Sequence, residues 1–153
     1  PSHIAVVVHP QPIVHSMVQF TDGPIKAQMG LPDMRLPIQY ALGYPLRLPN
    51  HFTRFSFMDY TSLSFEYADV SVFRNISIAF MAMEKGGNTP CILNAANEVA
   101  VDAFLNDKSG FVDMSSIIEQ TINKVTFIEK PTFRDYIETD REARAVAASF
   151  IRK

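Results

Sequence analysis

Two prolines fix what the opening of this chain can become. In His9-Pro10-Gln11-Pro12-Ile13-Val14-His15-Ser16-Met17-Val18 they stand between two apolar runs. Proline lacks an amide donor and holds φ near one value, so this stretch cannot lie inside a hydrogen-bonded ladder. The β-branched run Ile4-Ala5-Val6-Val7-Val8 before it reads as a strand, and Pro10 ends that strand. The segment from Pro10 onward is then a rigid connection that presents Gln11 and His15. No later stretch concentrates as much chemistry.

The next two apolar runs, His15 to Phe20 and Ile25 to Met29, flank Thr21-Asp22-Gly23-Pro24, a cluster of turn formers, and predict a β-hairpin. In its second strand Ile25, Ala27 and Met29 alternate with Lys26 and Gln28, so one face is apolar. Together with the first strand this makes a three-stranded sheet, which needs cover from further chain or a second copy. Gly30-Leu31-Pro32-Asp33-Met34-Arg35-Leu36-Pro37 reads as a shaped loop, with Pro37 opening a short helix to Gly43. Residues 44–70 carry Pro45, Pro49 and many aromatics without a sustained period, the texture of a linker that hugs the surface.

From residue 71 the apolar period becomes helical. Val72, Phe73, Ile76, Ala79, Phe80 and Met83 form one stripe, stopped by Gly86-Gly87. A second helix takes Thr89 as its N-cap and Pro90 as its first residue, with Ile92, Ala96, Val99, Ala100, Ala103 and Phe104 on its apolar face. A third, capped by Asp113, buries Met114, Ile117, Ile118, Thr121, Ile122 and Val125, with a Val112 to Ile117 staple available. The capping box Thr139-Asp140-Arg141-Glu142 starts a fourth, bearing Ala143, Val146, Ala147 and Phe150. The fold class is therefore α+β: a short β-strand segment over 1–43, a linker over 44–70 and a small four-helix bundle over 71–153.

Composition narrows the function classes. The 153 residues, 47% of them hydrophobic, suffice for one ordinary core or two small ones. A formal charge of −2 leaves no electrostatic footprint for nucleic acid. Cys91 is the only cysteine, so no intrachain disulfide forms, which suits a reducing cytoplasm. No apolar run approaches the roughly 18–20 residues of a membrane span, and we expect no membrane partner. Pro1-Ser2-His3 runs almost directly into a strand, as in a piece of a larger protein. His3, His9 and His15 share an even spacing, but the intervening prolines break the strand that would align them on a metal. There is no G-x-G-x-x-G after a strand and no paired acidic strand end for Mg²⁺, so no residue here is assigned to a cofactor or a metal.

Several of these runs carry a resemblance. His9-Pro10-Gln11, Ile13-Val14-His15-Ser16-Met17-Val18, Asp22-Gly23, Ala27-Gln28 and Pro32-Asp33-Met34-Arg35, followed by Leu93-Asn94-Ala95-Ala96-Asn97-Glu98 and Ala103-Phe104-Leu105, resemble the C-terminal part of the 1-deoxy-D-xylulose 5-phosphate reductoisomerases. Two places depart from the family pattern: Pro12, where a small polar residue is usual, and Phe73-Arg74-Asn75-Ile76, where Pro-Cys-Leu is more common.

The resemblance implies that residues 1–43 end a catalytic and dimerisation domain, that 44–70 link it onward, and that 71–153 form the C-terminal four-helix domain. It implies a parent enzyme of non-mevalonate isoprenoid biosynthesis that makes 2-C-methyl-D-erythritol 4-phosphate, with NADPH as hydride donor and Mg²⁺ or Mn²⁺ as cation. His15 would then be catalytic, and Pro32 and Met34 would contact the sugar phosphate beneath a mobile lid. The implied partners are that substrate, a second copy in a homodimer, and the N-terminal half of the same enzyme. NADPH and the cation would bind in that half, so the fragment alone is expected to bind neither and to be inactive. The alternative is a non-catalytic dimerisation or docking module. The roles of Asn94, Asn97 and Glu98 stay open.

Overall fold

In the computed structural model, which describes residues 2–151, the chain separates into two compact units. One is Ala5–Ala68, and the other is the stretch from Asp69 onward together with residues 2–4. The fold is mixed α+β, as expected.

The first unit contains β1 (Val7–Val8), β2 (Val14–Gln19), β3 (Ile25–Met29), α1 (Arg35–Gly43) and β4 (Glu66–Tyr67). The expected hairpin is the antiparallel pair β2–β3. Its turn is closed by Phe20 N donating to Pro24 O at 2.9 Å and Gly23 N donating to Phe20 O at 3.0 Å. Gly23 has φ of +104°, a conformation open to glycine and strained for other residues.

The expected third strand of that sheet is not there. Only Val7–Val8 of the 4–8 run is extended in a ladder, and β1 pairs with β4, Val7 opposite Tyr67 and Val8 opposite Glu66. Two two-stranded sheets replace one of three. The side chains beside the prolines explain the choice. His9 Nδ1–H donates to Ser64 O at 2.8 Å, and its ring stacks on Phe65 with centroids 4.6 Å apart. Gln11 Nε2 donates to Ser64 Oγ at 2.8 Å while Ser64 N donates to Gln11 Oε1 at 3.0 Å. Gln11 is thus tied inward rather than presented. Residues 44–68 belong to this unit and supply β4. Helix α1 begins at Arg35, two residues ahead of Pro37. Pro37 still falls in the first turn, where amides have no partner within the helix.

The second unit holds the four helices: α2 (Arg74–Lys85), α3 (Thr89–Leu105), α4 (Phe111–Lys124) and α5 (Phe133–Phe150). Both α3 and α4 pack against all three other helices. Small residues on α3 and α5 (Ala95, Ala96, Ala100, Ala143 and Ala147) face large ones on α4 (Ile117, Ile118 and Ile122), and all are buried in one cluster. This alternation lets the backbones approach while filling the space between them. The stripe expected on α4 is buried throughout, Val125 included. On α2 the buried residues are Ile78 and Ala82, whereas Phe73 and Met83 of the expected stripe are exposed.

Three helix starts differ from expectation. Asn88 is the N-cap residue of α3, which puts Thr89 inside the helix. Gly110 precedes α4, and Asp113 stands three residues in, its Oδ2 accepting from Gly110 N at 2.9 Å. Val112 is 76% exposed and staples nothing. Helix α5 starts after Thr132, not at Thr139. Thr132 N donates to Asp135 Oδ2 at 2.8 Å and Asp135 N to Thr132 Oγ1 at 3.3 Å. Beyond Pro131 two Thr-x-x-acid boxes follow, and nothing between them breaks a helix, so the first of them sets the start. Replacing Asp113 with alanine should cost about 1 kcal/mol by removing this cap. Denaturant unfolding of the chain measures it, and an unchanged midpoint would show that water serves the Gly110 amide equally well.

Candidate functional site

His15 sits where the hairpin is irregular. Val14 faces Met29 and Ser16 faces Gln28, so two steps along β2 answer one along β3, and His15 is the extra residue. Such a bulge bends its strand and re-aims a side chain away from the regular alternation. His15 is exposed. The Val14–Met29 pair closes the hairpin's open end, where Gly30 N donates to Ile13 O at 3.0 Å. Loop 30–34 leaves β3 directly from there, so the bulge and the loop bearing Pro32 and Met34 lie at the same end of the hairpin.

In that loop Pro32 is exposed and Met34 is 72% exposed. Asp33 between them is held by Arg35. Its Oδ1 accepts from Arg35 N at 3.0 Å, and both carboxylate oxygens take the guanidinium, Nε at 2.9 and 3.0 Å and Nη2 at 2.6 Å. The Arg35 guanidinium, and after it the Arg35 amide, hold the Asp33 carboxyl below the usual carboxylate range. No sequence signature singles this pair out. Beside the loop a groove of about 470 Å³ runs between β2, β3 and α1, lined by Met17, Gln28, Met29, Leu36, Tyr40 and Arg47 among others. Arg47 lies over the Tyr40 ring, 3.7 Å from its centroid. His15, Pro32 and Met34 do not line that groove.

In the helical unit, Asn94 and Glu98 are tied to structural partners. Asn94 Nδ2 donates to Glu98 Oε1 at 3.1 Å, and Arg144 Nη2 donates to Glu98 Oε2 at 2.6 Å. Arg144 Nε also reaches Asp140 Oδ2 at 2.8 Å, so one guanidinium joins α3 to α5. Asn97 is half-buried. The hydrogen bonds from Arg144 and then Asn94 hold Glu98 below the ordinary carboxylate value. A carboxyl with a depressed folded-state pKa favours folding above its unfolded-state value, and the gain is lost as pH falls through the folded value. Glu98→Gln should therefore lower stability slightly at neutral pH, by an amount that disappears in acid. A deficit that widens on acidification would contradict the pairing.

Among the described residues, no three His, Cys, Asp or Glu side chains come together as a metal-binding set. No helix among the described residues is long and apolar enough to cross a membrane.

A histidine on a hairpin bulge, a Pro-Asp-Met-Arg loop at the same hairpin end and, further on, a unit of four helices define an α+β polypeptide. The family model described as DXP reductoisomerase C-terminal domain matches residues 29–146, and the chain belongs to that family. It is 57% identical over 151 residues to the 1-deoxy-D-xylulose 5-phosphate reductoisomerase of Phocaeicola vulgatus, covering 99% of this chain and 40% of that protein. Against the namesake enzyme of Desulforamulus reducens it is 45% identical, covering 97% of this chain and 38% of the other. The chain therefore spans about two-fifths of the length of these relatives. Among solved structures, the reductoisomerase of Zymomonas mobilis in complex with NADPH superposes with a TM-score of 0.86 at 39% identity, over 97% of this chain and 39% of that one. A DOX-P reductoisomerase in complex with NADPH, fosmidomycin and magnesium does so with a TM-score of 0.82 at 32% identity, over 95% and 38%.

Proposed function

We propose that this chain supplies one wall of the substrate site and the C-terminal helical unit of a longer enzyme that isomerises and reduces 1-deoxy-D-xylulose 5-phosphate to 2-C-methyl-D-erythritol 4-phosphate. The observation that carries this reading is the histidine bulge at the same hairpin end as the Pro32–Met34 loop, in a chain of this family. His15, exposed on its bulge, hydrogen-bonds a substrate oxygen or orders the groups that do. Pro32 and the adaptable thioether of Met34 give the substrate an apolar wall. NADPH, as hydride donor, and the divalent cation, Mg²⁺ or Mn²⁺, belong to the remainder of the longer enzyme. Residues 1–43 are its closing catalytic segment and 71–153 its C-terminal domain. The lone Cys91, outside any disulfide, and the biosynthetic family support a cytoplasmic enzyme.

The test is NADPH oxidation with the sugar phosphate, by this chain alone and by the intact enzyme. We expect turnover from the intact enzyme only. Turnover by the isolated chain would overturn this division of labour.

A homodimer formed through the hairpin follows from its exposed Met17, Val18, Phe20 and Ile25, which would otherwise face water. The same exposed residues favour the competing reading of a non-catalytic dimerisation or docking module. Sedimentation separates them when paired with the assay: the module would dimerise and add nothing to turnover, and a monomer at high micromolar concentration would exclude the hairpin as a dimer surface of this chain.

A further inference from the structure

We infer that Asp33 and Arg35 are positioning residues, a bidentate ion pair braced on Phe52 that holds the 30–35 loop in the shape that turns Pro32 and Met34 outward. The inference rests on the proposed function, in which those two residues meet the substrate.

Spacing is the first ground for it. Side chains two apart do not face each other on a helix, and here Arg35, the first residue of α1, turns back to Asp33 just before it. Within that geometry Asp33 accepts from the Arg35 amide at 3.0 Å and from the guanidinium at both oxygens. The Arg35 side chain is 70% exposed, and an ion pair so close to water adds little to global stability. What such a pair does instead is select a conformation.

Its outer face is braced. The guanidinium lies over the Phe52 ring, 4.5 Å from the centroid. Phe52 is held in turn, its amide donating to Asn50 Oδ1 at 3.1 Å, and Asn50 Nδ2 donates to Gln39 Oε1 on α1 at 2.7 Å. Three segments, the loop, α1 and residues 50–52, therefore converge on one planar cation. Only arginine offers both the fork for the carboxylate and the flat face for the ring, so lysine at position 35 keeps the charge and loses the device. With Asp33 held by Arg35, its neighbours Pro32 and Met34 are exposed on both sides, and the wall they form is already shaped before a ligand arrives.

The experiment uses Arg35→Lys and Asp33→Asn in the intact enzyme, alongside Pro32→Ala and Met34→Ala. The first two should raise KM for the sugar phosphate about tenfold while kcat falls much less, the pattern of a binding wall that must be reordered at each encounter. In this chain the same two variants should speed amide exchange over residues 30–35 and leave the unfolding midpoint unchanged. Unchanged exchange would overturn the inference. So would faster exchange with an unchanged KM, because the loop would then be ordered to no purpose in binding. If Pro32→Ala and Met34→Ala leave KM untouched, the underlying reading of those residues fails, whatever the exchange rates show for Asp33 and Arg35.

Discussion

Alanine in place of Asn88 should lower the stability of the helical unit by about 3–4 kcal/mol, since each buried partner left without a hydrogen bond costs roughly 1–3 kcal/mol. Asn88 is fully buried and uses its amide in three directions. Nδ2 donates to Thr126 O at 3.0 Å and to Thr139 Oγ1 at 3.1 Å, and Oδ1 accepts from Ile128 N at 2.9 Å. Its backbone amide donates to Ile128 O at 3.0 Å as well. One side chain thus binds the start of α3, the loop after α4 and the middle of α5. The neighbouring Gly87 allows this approach: its φ is +57°, and an added Cβ would meet the Ile128 carbonyl oxygen and come within 2.7 Å of Phe127 Cε2. Aspartate at position 88 should be no rescue at neutral pH, because it offers Thr126 O an acceptor where a donor is needed. Denaturant unfolding of the two variants decides the matter. A loss below about 1 kcal/mol for the alanine variant would mean that water takes over the amide's bonds.

The second large effect is expected on turnover. His15→Ala in the intact enzyme should reduce kcat about a hundredfold, the scale of a lost group that moves or orders a proton, with an unfolding midpoint close to that of the parent. The separation follows from placement: an exposed side chain on a bulge carries little packing, so its removal leaves no cavity. Steady-state kinetics paired with thermal melts measures both quantities. An unimpaired variant would make His15 a structural residue of the hairpin.

Local signals are legible in the sequence. The hairpin turn, the α4 stripe from Met114 to Val125 and the existence of all four bundle helices rest on spacing, caps and turn residues within a few positions of one another. Long-range choices are not. Whether β1 joins the hairpin or residues 66–67 depends on Ser64, more than fifty positions away, meeting His9 and Gln11. On α2 an apolar stripe is present, but tertiary packing selects Ile78 and Ala82 and leaves Phe73 and Met83 outside. At the site, His15, Pro32 and Met34 stand out through family resemblance. Asp33 and Arg35 lie in the same run yet stay silent, because a charged pair two residues apart in a loop has no helical spacing to announce it.

The pairing of β1 with β4 gives the first unit a property akin to a parenthesis. Val7 and Val8 stand against Tyr67 and Glu66, so the chain arrives and departs side by side, and everything between is an excursion that returns to its origin. Lengthening a flexible stretch within such an excursion adds closure entropy only logarithmically and leaves the clasp where it was. The exposed run around Phe57 and Met58 can therefore change in length between related proteins without altering how the chain is handed on to the helices. The excursion is sealed by four paired residues, Val7, Val8, Glu66 and Tyr67, and by the Ser64 knot beside them.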